Sequence, residues 1–394
     1  MRTFTFKGLF LTAVFMLLGC LSIQAADDDL ITKQITIELE KAGTLPDRIG
    51  SSRRYKITNL KIIGKINGTD WEMIRKMAGG YTYPIGELSV LDLSEAKIVG
   101  GGDYYYDDRW HHYYTSNDVI GSFAFKGCSK LTSLTLPAGI TEIDSCAFQG
   151  CSGLTSLNLP DGITEIGGGA FEDCSRLTSL NLPDGITEIR ICTFRGCSGL
   201  TSLNLPDGIT SIGEEAFSGC SGLTSLNLPA GITSIGDGAF LGCSGLTSLT
   251  LPAGITSISD GAFRGCSGLT SLNLPASITT IGWKAFEGCS GLTSIYVYAE
   301  KVPGIGSDAF KGCDAKKCIL YVPKGTYDDY WLSDFGYFEN IVEFDATGID
   351  KTTTSTDVEE VSRYSVNGQR LVGPTKGLNI VKYSDGSVKK VAVE

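Results

Sequence analysis

Hydrophobic positions in the middle of the chain recur with a fixed period of 23 residues. The segment 154–160, LTSLNLP, returns almost unchanged from Leu177, Leu200, Leu223, Leu246 and Leu269, and related copies begin at Leu131 and Leu292. A period of this length is typical of a solenoid, in which one repeat cannot bury its hydrophobic face alone. Stacked coils cover each other's apolar surfaces, so the array is expected to fold as one continuous core with capped ends.

The unit 154–174 predicts one short strand followed by one irregular return. Leucines alternate with polar residues in segment 154–159, so the leucines face the core while Ser156 and Asn158 face solvent. A proline then ends the strand, and Ala170-Phe171 is expected to begin a short helical or turn segment. The predicted inward set is Leu154, Leu157, Leu159, Ile163, Ile166, Phe171 and Cys174. About eleven such coils are expected between Ile57 and Val322.

Most of the 13 cysteines occupy one position of the repeat and predict a column of buried free thiols. Equivalent positions on stacked coils have parallel Cβ vectors, whereas a disulfide needs a specific crossed geometry. Strained disulfides and a metal site are the alternatives, and Cys313 and Cys318 are a candidate local pair. The predicted structural thiol column contains Cys128, Cys151, Cys174, Cys197, Cys220, Cys243, Cys266 and Cys289.

Residues 1–25 have the pattern of a signal peptide, so the chain is predicted to be exported. Arg2 and Lys7 supply the positive start, and the apolar stretch 8–18 is too short for a comfortable membrane span. Cleavage after Ala25 is the preferred interpretation. In the alternative, the segment 17–20, LLGC, resembles the lipobox of bacterial lipoproteins, and Cys20 would be lipidated.

Charge and histidine content exclude two classes of function. The net charge of −11 argues against nucleic acid, which requires a face rich in lysine and arginine. The chain has only two histidines, both in one insertion, and its recurring carboxylates follow the repeat. We therefore expect no enzymatic activity, no cofactor and no resident metal.

An aromatic insertion at 100–117 is the predicted binding site. Five tyrosines and one tryptophan fall within residues 104–114, and such residues supply much of the binding energy at protein interfaces. The candidate residues are Tyr104, Tyr105, Tyr106, Arg109, Trp110, His111, His112, Tyr113 and Tyr114. Three interpretations stay open: a cap over the first coils, a cap that also contacts ligand, and a metal site formed by the histidines with Asp107 or Asp108. Deletion of 103–114 is expected to weaken adhesion more than it lowers the melting temperature.

The predicted sheet surface carries two nearly uniform polar rows. One row is Ser156, Ser179, Ser202, Ser225, Ser248 and Ser271, and the other is Asn158, Asn181, Asn204, Asn227, Thr250 and Asn273. Such a ladder suits an extended repetitive partner, either glycan or fibrous protein. A surface that only keeps the protein soluble is the simpler alternative.

Segment 121–295 resembles the BspA-like class of bacterial leucine-rich repeat proteins, because its pattern GITSIGxxAFxGCSxL is nearly the consensus of that class. Segments 57–62 and 88–94 are similar to its divergent opening repeats, and 319–325 with Tyr330-Trp331 is similar to its closing repeat. The resemblance implies a right-handed leucine-rich repeat solenoid with a parallel β-sheet on one side and short irregular or helical returns. It also implies the surface of a Gram-negative bacterium.

The expected organisation has six parts. The signal peptide 1–25 is followed by an N-terminal cap with divergent opening repeats at 26–120 and by regular repeats at 121–295. Closing repeats and a C-terminal cap occupy 296–345, a polar linker 346–362, and a small β tail 363–394. Three short strands are predicted in the tail, with turns at Asn367-Gly368 and Asp385-Gly386. The tail resembles a sorting module of the type IX secretion route; a small β module packed on the solenoid is the alternative.

These features together predict an exported, monomeric surface protein that acts as an adhesin. Its partner is expected to be a host matrix protein, another cell or a glycan, on a host or bacterial surface. Contact with a membrane is expected only through a lipid anchor or the sorting attachment, and the protein is otherwise outer-membrane-associated or secreted. A structural surface spacer and an accessory protein that holds polysaccharide are the alternatives.

Overall fold

The computed structural model describes residues 30–80, 86–346, 360–365, 370–371, 376–383 and 388–393. Its main body is a parallel β-solenoid of about 13 turns with 23-residue spacing, which confirms the predicted fold class. One coil lies beyond each end of the predicted range, at Ile35–Leu39 and at Asn340–Phe344. Both coils depart from the repeat consensus, so the periodicity did not reveal them.

One strand from most coils joins a parallel front ladder. Its first six-stranded sheet contains Ile35–Leu39, Asn59–Ile66, Val90–Ile98, Ser133–Thr135, Ser156–Asn158 and Ser179–Asn181. Its second, five-stranded sheet contains Ser248–Thr250, Ser271–Leu274, Ser294–Val297, Ile319–Pro323 and Asn340–Phe344. Equivalent residues pair, as Leu180 does with Leu157, so the side chains of successive coils form straight rows.

The front ladder is looser between its two sheets. The coils of Leu203 and Leu226 contribute no regular strand there, and one isolated bridge joins Asn181 to Asn204. Backbone hydrogen bonds continue through this region, although the Thr224 amide lies 3.4 Å from its acceptor oxygen on the preceding coil. The solenoid is therefore continuous in its core while its front ladder is interrupted.

A second parallel ladder lies in the part of each coil that the sequence predicted to be irregular. Its strands are Val119–Ile120, Glu142–Ile143, Glu165–Ile166, Glu188–Ile189, Ser211–Ile212, Ser234–Ile235, Ser257–Ile258, Thr280–Ile281 and Gly304–Ile305. Two residues per coil are too few for alternation to identify a strand. The Ala170-Phe171 segment forms turns rather than a helix.

The interior repeats as the sequence predicted. In the unit 154–174 six of the seven inward residues are buried, and Leu159 is partly buried. Behind them runs a stack of nine parallel phenylalanine rings, with neighbouring centroids 5.1–5.6 Å apart. The stack consists of Phe125, Phe148, Phe171, Phe194, Phe217, Phe240, Phe263, Phe286 and Phe310. Each ring is covered by its neighbours, so the core has no boundary between coils.

The eight in-phase cysteines are buried free thiols. From Cys151 onward each Sγ–H donates to the carbonyl of a phenylalanine 26 residues earlier, as Cys174 does to Phe148 at 3.2 Å. Burial raises the pKa of Cys174, Cys220 and Cys266 to about 12. Cys313 and Cys318 are also free and buried, so they do not form the candidate pair.

We expect the column thiols to resist modification while the protein is folded, because burial and a raised pKa together remove the reactive thiolate. Cys146 and Cys192 lie outside the column and are only half-buried, so they should react first. Brief labelling with N-ethylmaleimide at pH 8, read residue by residue by peptide mass spectrometry, measures this order. Labelling in urea is the control that makes every thiol accessible. Column thiols modified as fast as Cys146 in the folded protein would contradict the stacked core.

The N-terminal end of the core is closed by two helices, α1 (Leu45–Arg48) and α2 (Gly68–Met77). Asn67 caps α2, and Asp70 completes a capping box with it. The Asp70 carboxylate is fully buried and also accepts hydrogen bonds from the amides of Gly43 and Leu45, at 2.6 and 2.8 Å. One carboxylate therefore joins α2 to the loop that precedes α1.

The C-terminal end is closed by α3 (Tyr327–Trp331) and a 3-10 turn (Asp334–Tyr337). Tyr330 is buried, and its hydroxyl donates to the Ala299 carbonyl at 2.6 Å. Phe335 and Phe338 lie against Phe310, the last ring of the stack. These aromatics close the core where no further coil follows.

The C-terminal tail forms a separate antiparallel sheet of four strands, where three were predicted. Its strands are Glu360–Ser365, Arg370–Leu371, Gly377–Tyr383 and Val388–Val393. The first pairs with the second and third, and the third pairs with the fourth. The predicted signal peptide with Cys20 and most of the predicted linker lie outside the described residues. Within the described residues, no helix is both long enough and apolar enough to cross a membrane.

Candidate functional site

The aromatic insertion folds as a two-stranded antiparallel hairpin, which we call the aromatic hairpin, formed by Gly101–Asp107 and His112–Thr115. Asp108 organises its turn. The Asp108 carboxylate accepts hydrogen bonds from the amides of Trp110 and His111, and the Tyr113 hydroxyl donates to it at 3.0 Å. The hydrogen bond from the Trp110 amide is the main reason that the pKa of the Asp108 carboxyl is lowered to about 2.

Three tyrosines of the aromatic hairpin pack on the opening coils. Tyr105 is 1% exposed, and its hydroxyl donates to the Ser122 carbonyl at 2.8 Å. The rings of Tyr106 and Tyr113 both pack on Phe123, each at a centroid distance of 4.9 Å. These three predicted binding residues thus anchor the hairpin to the solenoid.

A buried arginine helps to anchor the aromatic hairpin. The Arg75 guanidinium, on α2, lies 4.9 Å from the centre of the Tyr106 ring. It also donates hydrogen bonds to the carbonyls of Phe123, Ala124 and Lys126. The same side chain therefore connects the N-terminal cap, the first regular coil and the hairpin.

The turn and the remaining aromatic residues of the aromatic hairpin are exposed to solvent. Trp110 is 86% exposed at the turn, beside Arg109, whose backbone φ is 79°. Tyr114 is also exposed, and Tyr104 packs against His112 with ring centroids 4.4 Å apart. Large exposed aromatics on a fixed backbone are suited to contact a partner without further ordering.

The structure gives no support to the metal interpretation of the histidines. His111 Nδ1 lies 3.6 Å from an Asp108 oxygen, and His112 Nδ1 lies 3.9 Å from an Asp107 oxygen. These are separate side-chain pairs on an exposed turn. Among the described residues, no group of three or more His, Cys, Asp or Glu side chains could hold a metal ion.

The front ladder presents the two predicted polar rows to solvent. In the unit that starts at Leu154, Ser156 and Asn158 are exposed, and their equivalents pair in register across the ladder. The threonines that precede the serine row donate their hydroxyls to the preceding coil, as Thr178 does to Thr155 at 3.1 Å. The rows are therefore held in regular positions by the coils beneath them.

Sequence analysis missed two aromatic residues at the C-terminal end of the front ladder. Tyr296 and Tyr321 continue the asparagine row after Asn273, and their rings stack 4.3 Å apart with planes 4° from parallel. The available signal was the repeat register, because Tyr296 stands four residues after Leu292 as Asn158 does after Leu154. At these two positions the front surface departs from its own repeat.

The fold and these surfaces define a solenoid scaffold that displays side chains on a repetitive sheet and on one inserted hairpin. The family model of the BspA type leucine rich repeat region, present in six copies, matches residues 118–240 and 187–317, just over half of the chain. The protein belongs to this leucine-rich repeat family. The family is typically composed of non-enzymatic binding proteins.

Solved structures of bacterial leucine-rich repeat proteins are similar to this chain. A leucine rich repeat protein of T. pallidum is 33% identical, over 44% of this chain and 82% of the other, with a TM-score of 0.40. A leucine-rich repeat protein from Bacteroides ovatus is 21% identical over 79% and 92%, with a TM-score of 0.36. A leucine rich cell surface protein from Faecalibacterium prausnitzii is 22% identical over 75% and 89%, with a TM-score of 0.35. No curated protein sequence matches the chain significantly.

Proposed function

We propose that the protein is an exported, cell-surface binding protein that acts in adhesion, and that the exposed aromatic side chains of the aromatic hairpin contact its partner. The observation that carries the proposal is the exposed Trp110, flanked on the same hairpin by exposed Tyr104 and Tyr114. Aromatic residues of this kind dominate binding energy when a partner covers them. A hairpin that served only as a cap would have no need for large aromatic side chains exposed to solvent.

The anchoring of the hairpin by Tyr105, Tyr106 and Tyr113 favours the interpretation that combines capping with ligand contact. Tyr105 and Tyr113 shield the opening coils, while Trp110 and Tyr114 are exposed to solvent. The proposed partner is a host matrix protein or a component of another cell surface. The predicted signal peptide supports export, and the repeat family supports a binding rather than a catalytic role.

Replacement of Trp110 by serine is expected to weaken binding about tenfold or more, as loss of a central interface aromatic does. Immobilised fibronectin, fibrinogen and epithelial cells are the surfaces to test, with the full chain in solution. The melting temperature should stay nearly unchanged, because exposed substitutions usually alter stability by less than about 0.5 kcal/mol. This variant tests binding more specifically than deletion of 103–114, because the deletion also removes the buried Tyr105.

Trp331→Ser is the matched control, since Trp331 is a half-exposed tryptophan at the other end of the solenoid. Equal binding by the Trp110 and Trp331 variants would remove the hairpin from the interface. Failure of the unaltered protein to bind any of the three surfaces would count against adhesion and in favour of a structural spacer.

A further inference from the structure

We infer that the front ladder is a second binding surface, which takes an uncharged polysaccharide chain and holds it at the C-terminal end on Tyr296 and Tyr321. The inference goes beyond the proposed role of the aromatic hairpin and does not depend on it. It rests on three observations about the outward side chains of the front strands: their charge, their hydrogen-bonding groups and the aromatic residues at one end.

The outward positions of the front ladder carry no charge over ten consecutive coils. From Ser133 to Phe344, the outward positions of the front strands, and the equivalent positions of the two coils without a strand, hold serine, asparagine, threonine, tyrosine and a few apolar residues, and no lysine, arginine, aspartate or glutamate. The chain as a whole is 20% charged with a net charge of −11. A polyanion would need a basic surface, and a basic partner would need an acidic one. The neutral surface instead fits a partner without charge.

The groups displayed on the surface are those that recognise sugar hydroxyls. Serine hydroxyls and asparagine amides both donate and accept hydrogen bonds, as do the hydroxyls of a sugar. They recur at the spacing of the coils, about 4.8 Å. Each contact with a sugar is weak, but many equivalent contacts along one chain add in affinity once the first has formed.

The aromatic end supplies the stronger contact that a polar ladder lacks. Tyr296 and Tyr321 stand on adjacent strands at the asparagine position, and both are partly exposed. Phe344 packs edge-on against Tyr296 and Tyr298, at 5.8 and 5.2 Å between centroids, and keeps this end of the surface ordered. The two stacked rings cover one face of each other, and the exposed part of each ring with its polar tip offers contacts to the C–H groups and hydroxyls of a sugar. This arrangement favours a neutral sugar chain over a folded protein.

The test uses affinity electrophoresis of the full chain in native gels that contain amylose, mannan or xyloglucan, with heparin as the charged comparison. We expect retardation by at least one neutral polysaccharide, unchanged by 0.5 M NaCl because no charges take part. The double variant Tyr296→Asn/Tyr321→Asn restores the residue that the ladder carries at that register. It should bind that polysaccharide about tenfold more weakly, with the far-ultraviolet circular dichroism spectrum retained.

Trp283→Ser is the matched control, because Trp283 is a half-exposed aromatic away from the front strands. Asn204→Asp is a second, independent variant that places a charge in the middle of the polar row without altering the tyrosines, and it should also weaken binding. Retardation by heparin alone, no retardation by any neutral polysaccharide, or full binding by both variants would overturn the inference. The hairpin variant Trp110→Ser should bind the polysaccharide normally, so failure of one proposal is distinguishable from failure of the other.

Discussion

Replacement of Phe217 by alanine is expected to destabilise the solenoid strongly. The Phe217 ring is fully buried between Phe194 and Phe240, at centroid distances of 5.4 and 5.2 Å. Truncation of a buried phenylalanine costs about 3–5 kcal/mol, because the transfer free energy is lost and a cavity remains. Neighbouring coils can relax only partly into that cavity, since each is held by its own hydrogen bonds to the next. The midpoint of urea denaturation, followed by circular dichroism, should therefore fall clearly.

Two comparisons make this result specific to the ring stack. Phe217→Leu keeps much of the volume and should lose less stability than the alanine variant. Ser225→Ala, on the exposed polar row, should change the free energy of unfolding by less than about 0.5 kcal/mol. An alanine variant that unfolds at the same urea concentration as Ser225→Ala would show that the coils do not share one packed interior.

Replacement of Asp70 by alanine is expected to open the N-terminal cap, at a cost of about 3 kcal/mol or more. The buried Asp70 carboxylate accepts from the amides of Gly43, Leu45 and Asn67, and alanine would leave all three without this acceptor, the Leu45 amide in a buried position. The loss should be local, because each coil of a solenoid touches only its neighbours. Hydrogen exchange should thus accelerate in 35–77 while the central coils keep their protection.

The control for this variant is Asp161→Ala, which removes an exposed aspartate from a regular coil. Asp70→Asn is informative as an intermediate case, since the amide oxygen retains one acceptor at nearly the same position. Unchanged exchange rates across α2 in the alanine variant would contradict the assigned role of the carboxylate.

The central coils could be predicted from the sequence almost residue by residue, because repetition supplies the evidence that a single segment lacks. One inward position, Leu159, is more exposed than predicted, yet the register, the ring stack and the thiol column follow from the period. The second ladder could not be predicted in this way. Each of its strands is two residues long, as at Glu165–Ile166, which is shorter than any alternating pattern that can be recognised.

The ends of the solenoid and the candidate sites were harder to predict from the sequence, because each of them occurs only once. The coils Ile35–Leu39 and Asn340–Phe344 do not follow the consensus, and their pairing depends on tertiary contacts. Composition located the aromatic hairpin, but only the fold separates the anchoring Tyr105 from the exposed Trp110. Tyr296 was overlooked because it lies inside a strand whose other features match the repeat.

The near-identical repeat units have matched upper and lower surfaces, so one unit can replace another in the stack. After loss or duplication of a whole 23-residue unit between Leu154 and Leu269, every remaining coil would still contact a coil of the same kind. Each such event would move the hairpin and the tyrosine pair about 4.8 Å nearer or farther apart. Genetic recombination within the repeated segment could therefore adjust the reach of the molecule in fixed steps, without redesign of either terminus.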